Sequence, residues 1–164
     1  MQNLGPVPHP PVGPAAVVWR AASRFALAIS GLNRLAPFVD LGVRLFVASV
    51  FFKSGLTKIV NWDSTVALFD NEYAVPLLPP EIAALLGSGV ELIFPVLLVL
   101  GLGARVSALV LFAFNIIAVI SYPDLSAAGL KDHQTWGLLL LITLLHGPGK
   151  LSFDHLIGRR LLAR

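Results

Sequence analysis

The sequence predicts an all-α membrane protein. Its core is a four-transmembrane-helix antiparallel bundle, preceded by an amphipathic interfacial helix and followed by a short C-terminal one. Three observations lead there. Of 164 residues, 56% are hydrophobic and only 13% charged, too little charge to cover a soluble domain of this length. The apolar residues gather into segments close to the ~20 residues that a helix needs to cross a bilayer. The net charge is +3, and the basic residues lie between the apolar segments, which fits a membrane topology and excludes nucleic acid as a partner. The chain has no cysteine, so it carries no thiol relay, thiolate metal site or iron–sulfur cluster of its own.

Residues 1–15 contain Pro6, Pro8, Pro10, Pro11 and Pro14 without hydrophobic periodicity, and are expected to form a disordered tail in which His9 is merely solvated. Residues 16–37 are expected to form the amphipathic helix. At helical spacing Arg20, Arg24 and Arg34 fall on one side and Val18, Phe25, Ile29 and Leu32 on another. Such a helix suits the surface of an anionic leaflet. Because no acid precedes Asp40, a targeting segment is the alternative.

The transmembrane domain is placed at residues 38–149. Its first span, Val39 to Lys58, contains Arg44 and Lys53 on different faces. Arg44 lies near the start of the span and is expected to snorkel to the near surface, in a structural role. Lys53 leans toward the bilayer centre. It shares a face with Gly42, Ser49 and Thr57, which predicts that this face points inward. The connection from Ile59 to Pro79 mixes Asp63, Asp70 and Glu72 with Trp62, Phe69 and Tyr73. It reads as an interfacial aromatic belt with a short surface helix over 64–69.

The second span carries Glu91 near its middle. A charge at that depth costs ~3 kcal/mol on insertion scales, so it normally faces a bundle interior and has a partner. Ala84, Gly87, Ser88, Glu91 and Pro95 share one face, all small or polar, and form the expected inner wall. Depth and side-chain lean predict a buried Lys53–Glu91 pair. In the third span, Ala104 to Tyr122, Asn115 lies near mid-depth, either joining two helices or serving a site.

The fourth span opens at Asp132 as N-cap. Its apolar run, Trp136 to Leu145, is short of a full crossing, which places His133 and Gln134 near membrane depth at one end and His146 at the other. Residues 150–164 are a basic cytoplasmic tail helix, with Phe153, Leu156, Ile157, Leu161 and Leu162 beside Arg159, Arg160 and Arg164. His155 there reads as solvated. Arg20, Arg24, Arg34, Arg105, Lys150, Arg159, Arg160 and Arg164 fall on one side of the membrane, Lys58 and Lys131 on the other. Both termini are therefore expected in the cytoplasm. Arg44, Arg105 and His146 are assigned structural or topological roles.

His133 and His146 are separated by roughly 20 Å of helical rise, too far to clasp one haem iron. No metal-ligand spacing or phosphate-binding glycine loop is present. No catalytic residue, metal ligand or intrinsic cofactor is assigned. The candidate ligand-binding residues are Lys53, Glu91, Asn115, His133, Trp136 and Tyr73. Together they suit the carbonyl oxygens of a quinone: Lys53 or His133 donating, Glu91 relaying a proton, Trp136 stacking. The same group also suits a solute path, or an ion pair that fixes helix register.

The motifs DLGVRLFVASVFFKSGLTKI, EYAVPLLPPEIAA, GVELIFPVLLVLGLGAR, FNIIAVISYP and DHQTWGLLLLITLLHGPGKLSFDHL, in this order over Asp40 to Leu156, resemble the DoxX family of small four-helix membrane proteins. That resemblance implies a multi-pass protein of the bacterial inner membrane. Some relatives are described as subunits of quinone-linked oxidoreductases. It supplies no catalytic motif to carry over. The first expectation is thus a quinone-interacting or redox-associated subunit, with the bilayer, redox-enzyme subunits or further copies of the chain as partners. A non-enzymatic scaffold and a small solute transporter are the alternatives.

Overall fold

A computed structural model describes residues 13–73, 75 and 77–162. The expected disordered tail, with His9, lies almost entirely outside them, as does Arg164. Every regular element among the described residues is a helix: α1 Pro14–Val60, α2 Trp62–Asn71, α3 Pro80–Leu100, α4 Ala104–Ser121, α5 Ala127–His146 and α6 Phe153–Leu162. Three segments are long and apolar enough to cross a membrane: Ala16–Val60, Pro80–Leu100 and Ala104–Ser121. The expected fourth, α5, has the length. However, its opening turns carry Lys131, Asp132, His133 and Gln134, so it falls short in apolarity.

The expected amphipathic helix and first span belong to a single helix, α1, with Pro37 inside it. The chain divides at that proline into two units, Met1–Ala36 and Pro37–Arg164. In the first, Val18, Phe25, Ile29 and Leu32 are exposed, and so are Arg20, Arg24 and Arg34.

The second unit is built on helical periodicity. In α1 the buried residues Arg44, Val47, Ala48, Phe51 and Gly55, with half-buried Ser54 and Lys58, recur at the three- and four-residue spacing of one face. Val47, Ala48 and Phe51 join Leu98 of α3, Ala108 and Leu111 of α4 and Leu140 of α5 in one core. The buried face of α3 is Ala83, Ala84, Gly87, Ser88, Glu91, Pro95 and Leu98, which contains the whole inner wall expected from the sequence. Here α1 and α3 run close. A Cβ on Gly55 would meet Glu91 Cβ and Leu92 Cδ2 at 3.0 Å, so only glycine lets the two helices approach this nearly.

The α3–α4 turn is closed by residues from the chain's end. Gly101 takes the left-handed conformation (φ 67°) that ends a helix with least strain when no Cβ is present. Leu102 N then donates to Leu97 O at 3.0 Å. Asp154 of α6 accepts from Gly103 N at 2.8 Å and Ala104 N at 2.9 Å. It thereby caps α4 with a carboxylate where the helix dipole favours one.

The short helix expected over 64–69 is α2, and it is not merely a surface element. Thr65 and Phe69 are buried, and Phe69 packs with Ala83 and Ala84 of α3 in a second core that Val66, Tyr73 and Val75 flank. Asn61 caps α2 by accepting from Ser64 N at 3.2 Å. The Thr65 hydroxyl reaches back to Lys58 O at 2.8 Å, tying α2 to the last turn of α1.

Candidate functional site

Lys58 stands in that last turn, and helical side chains lean toward the N-terminus. Its ammonium accordingly folds back one turn, donating to Ser54 Oγ at 2.9 Å and to Glu91 Oε2 at 2.5 Å. The side chains of the pair are 13% and 6% exposed, so the charges are largely withdrawn from solvent. In that setting a carboxylate holds its charge only with a close partner.

The partner of Glu91 is therefore Lys58 and not Lys53. Lys53 is exposed, together with Gly42, Ser49 and Thr57, so the face expected to point inward points out. The small polar side chains there need no interior partners. Ser49 Oγ donates to Phe46 O at 2.7 Å and Thr57 Oγ1 to Lys53 O at 2.9 Å, each within its own helix. Lys58 follows Lys53 by five residues, about 140° further round the helix, and that rotation carries it onto the buried stripe.

Arg44 also departs from expectation. It does not snorkel but is 1% exposed. One guanidinium nitrogen, Nη1, donates to Leu98 O at 3.2 Å and Val99 O at 2.9 Å, and Nη2 donates to Leu151 O at 2.5 Å. It joins the end of α3 to the segment ahead of α6.

Asn115 and His133 form a two-point clasp between α4 and α5. Asn115 Nδ2 donates to the His133 backbone carbonyl at 2.9 Å, and Asn115 Oδ1 faces His133 Nδ1 at 2.7 Å. Since the amide nitrogen is committed to a carbonyl, its oxygen faces the ring and Nδ1 carries the proton. The close approach depends on Gly137, where a Cβ would lie 3.2 Å from Asn115 Nδ2. Trp136 meets the His133 ring edge-on at 4.8 Å and Phe51 at 6.1 Å.

His133, Trp136 and Phe51 border a cavity of about 600 Å³ whose wall also includes Lys58, Glu91, Tyr73 and Ser121. Val50, Phe51, Val90, Leu109 and Phe114 supply its apolar surface. Tyr73 packs on Phe69 at 4.9 Å and on Tyr122 at 5.2 Å. Burial, and then the nearby Glu91 charge, push the Tyr73 hydroxyl above its ordinary pKa, so it stays a hydrogen-bond donor at neutral pH. Ser121 is 2% exposed, and its Oγ has no hydrogen-bond partner among the described residues. A buried hydroxyl left in that state costs ~1–3 kcal/mol.

Of the candidate ligand-binding residues, the structure brings Glu91, Tyr73, His133 and Trp136 to one cavity, holds Asn115 behind His133, and leaves Lys53 outside. Arg105 and His146 are exposed. Arg105 Nη2 donates to Leu145 O at 3.4 Å, and His146 Nδ1 lies 3.3 Å from Ile142 O, both remote from the cavity. Sequence reasoning missed Lys58, Ser54, Ser121 and Tyr122. The stripe that runs through Arg44, Val47, Phe51 and Ser54 would have found Lys58. Nothing in the sequence marks Ser121.

The arrangement combines an apolar chamber, an ion pair with one ammonium hydrogen unspent and an aromatic wall. That combination suits a flat amphiphile whose ring bears hydrogen-bonding oxygens.

Residues 39–123 match the profile of the family described as DoxX. A curated protein of Haemophilus influenzae, named there "Uncharacterized protein", is 37% identical over 124 residues, which cover 71% of this chain and 82% of that one. No solved structure matches the chain.

Proposed function

This chain belongs to the DoxX family of membrane proteins, and we propose that it binds a lipid-soluble quinone beside Lys58 and Glu91 as a membrane subunit serving a redox enzyme. The observation that carries the reading is the Lys58–Glu91 pair on the wall of a 600 Å³ apolar cavity. A cation withdrawn from water is costly, and a purely structural pair would gain from dry packing on every side rather than from an open chamber.

Such a group fits the residues present. An ammonium offers three hydrogens; Ser54 and Glu91 take two, leaving one for a ring oxygen. Trp136 and Phe51 would flank the ring, and Glu91 supplies the countercharge beside Lys58. A quinone, when bound, supplies two-electron, two-proton chemistry that this chain's own side chains lack. The chain's task is then to orient the ring, exclude water and present a donor at Lys58 Nζ. In this reading α5 completes an antiparallel bundle of four membrane helices in the bacterial inner membrane, with both termini cytoplasmic. The basic helix α6 then lies at the inner surface.

The test is direct. Full-length protein purified into lipid nanodiscs is extracted for co-purifying quinone, then titrated with a short-chain benzoquinone. Saturable binding that Glu91→Gln weakens roughly tenfold or more is the expected result. Absence of bound quinone together with an indifferent Glu91→Gln variant would end the reading and leave a scaffold.

A further inference from the structure

The cavity beside Lys58 and Glu91 is open on one side, and that side belongs to two helices. The lining drawn from α1, α2 and α5 is buried or half-buried throughout, as at Val50, Phe51, Lys58, Phe69, His133 and Trp136. The exposed members of the lining are Leu78 and Leu86, ahead of and within α3, and Leu109, Ala113 and Ile117 of α4. Leu86 is 53% exposed, Leu109 51% and Ile117 43%. Leu109, Ala113 and Ile117 are spaced one turn apart, so they form a single ridge. Beside that ridge α3 passes α4, where a Cβ on Gly87 would meet Phe114 at 3.5 Å. The mouth of the cavity is thus a slot between α3 and α4.

Both helices are long and apolar enough to cross a membrane, and every side chain exposed at the mouth is aliphatic. The slot therefore opens on acyl chains rather than on water. The chamber behind it is graded. Along α1 its lining passes from Val50 and Phe51 to Ser54 and Lys58. Along α4 it passes from Leu109 and Ala113 to Tyr122, about 20 Å further on. In both helices the aliphatic end comes first and the polar end last. A bare ring needs only the polar end. The aliphatic end and the slot are matched by a hydrocarbon chain on the same molecule. Such a chain gains little by leaving lipid, whose tails are as apolar as leucine. What the slot supplies is an exit, so that a chain too long for 600 Å³ need not be folded up inside.

Resting on the quinone reading above, we propose that this cavity is loaded sideways from the bilayer with a quinone bearing a long polyprenyl chain. The ring meets Lys58, and the chain stays in the slot between α3 and α4. The competing occupant of the slot is the acyl chain of a phospholipid.

Full-length protein in phosphatidylcholine nanodiscs is given a polyprenyl benzoquinone with a photoreactive diazirine on the chain close to the ring, and the adducts are mapped by mass spectrometry. Adducts on Leu86, Leu109, Ala113 or Ile117 are expected, and unlabelled polyprenyl benzoquinone should compete them away. Dissociation constants are then compared for the tail-less ring and the long polyprenyl form, each corrected for partition into protein-free nanodiscs. In the native protein the two should agree within about threefold. Ala113→Trp with Ile117→Trp, both at exposed positions, should weaken the long form roughly tenfold or more and the bare ring by less than about threefold. Leu138→Trp, exposed on α5 outside the lining, should change neither. Three results would each overturn lateral loading while leaving quinone binding in place: adducts confined to α1 or α5, a native protein that holds the ring but rejects the long form, or a filled slot that the long form ignores. Adducts on the slot that unlabelled quinone does not compete would overturn it too, and give the slot to phospholipid. If the double variant loses the ring as well or fails to fold, the adduct map on the native protein decides. Failure of both quinones to bind would overturn the quinone reading itself.

Discussion

Helix α1 buries two cations on one stripe, Arg44 and Lys58, roughly 21 Å apart along the helix, and they meet α3 in opposite ways. Arg44 is surrounded by backbone oxygens of Leu98, Val99 and Leu151 and is 1% exposed. Lys58 meets a side-chain carboxylate and a serine on the wall of a cavity. The planar fork of a guanidinium suits several fixed carbonyls at once, whereas an ammonium is a compact charge on a flexible stem. One end of the unit is therefore a bolt, with Nη1 and Nη2 held by backbone carbonyls and Nε buried away from any cavity without a partner among the described residues. The other end is a site, with a donor left over.

The sharpest way to break this contrast is Arg44→Met. It removes the side-chain donor from Val99 O and Leu151 O and empties a fully buried position, and should cost ~3 kcal/mol or more, read as a large loss of thermal stability in detergent. The protein that remains folded should bind quinone as before. Next in size is the double change Lys58→Met with Glu91→Leu. Replacing both members of a buried pair by apolar residues is often neutral or stabilising, so melting should hold or rise while quinone binding disappears. No such exchange exists for Arg44, whose partners are backbone. Should the double variant unfold as badly as Arg44→Met, the Lys58 end is a bolt too and the contrast fails. A smaller effect, about 1 kcal/mol, is expected for Asp154→Ala, which removes the α4 cap. It belongs to the bolted end and should leave quinone affinity unchanged.

The same contrast explains what was legible in the sequence. The inner wall of α3 was visible because burial leaves a periodic trace, and Glu91 because an acid in an apolar run must be explained. The partner was not, for two reasons. Ser49 and Thr57 look like interior polar residues, yet each hydroxyl is satisfied by its own helix, so polarity did not mark the inward face. Lys58 stands at the span's end, where a lysine ordinarily reports topology, and its fold-back to Ser54 is a matter of rotamer. Arg44 was placed near the surface because its partners are carbonyls contributed by residues far along the chain, which no local pattern announces. Asn115 and His133 were both singled out, but their clasp depends on how closely α4 and α5 pass at Gly137. Ser121 was invisible altogether, because an unpartnered serine differs from a partnered one only in three dimensions.

The smallest expected effect belongs to Lys53, and it discriminates most finely. Lys53 and Lys58 differ in the sequence by one turn and a fraction, yet one is exposed and the other paired. If face rather than depth decides function, Lys53→Met should change thermal stability by no more than about 0.5 kcal/mol and leave the quinone dissociation constant unmoved. Any drift should be toward stability, since an unpaired charge leaves an apolar surface. Lys58→Met in the same assay should weaken binding roughly tenfold, because Glu91 then loses its partner and the ring its donor. A Lys53→Met variant that loses quinone as Lys58→Met does would mean that the exposed face of α1 also reaches the ligand, and that the stripe argument assigns the wrong wall to the site.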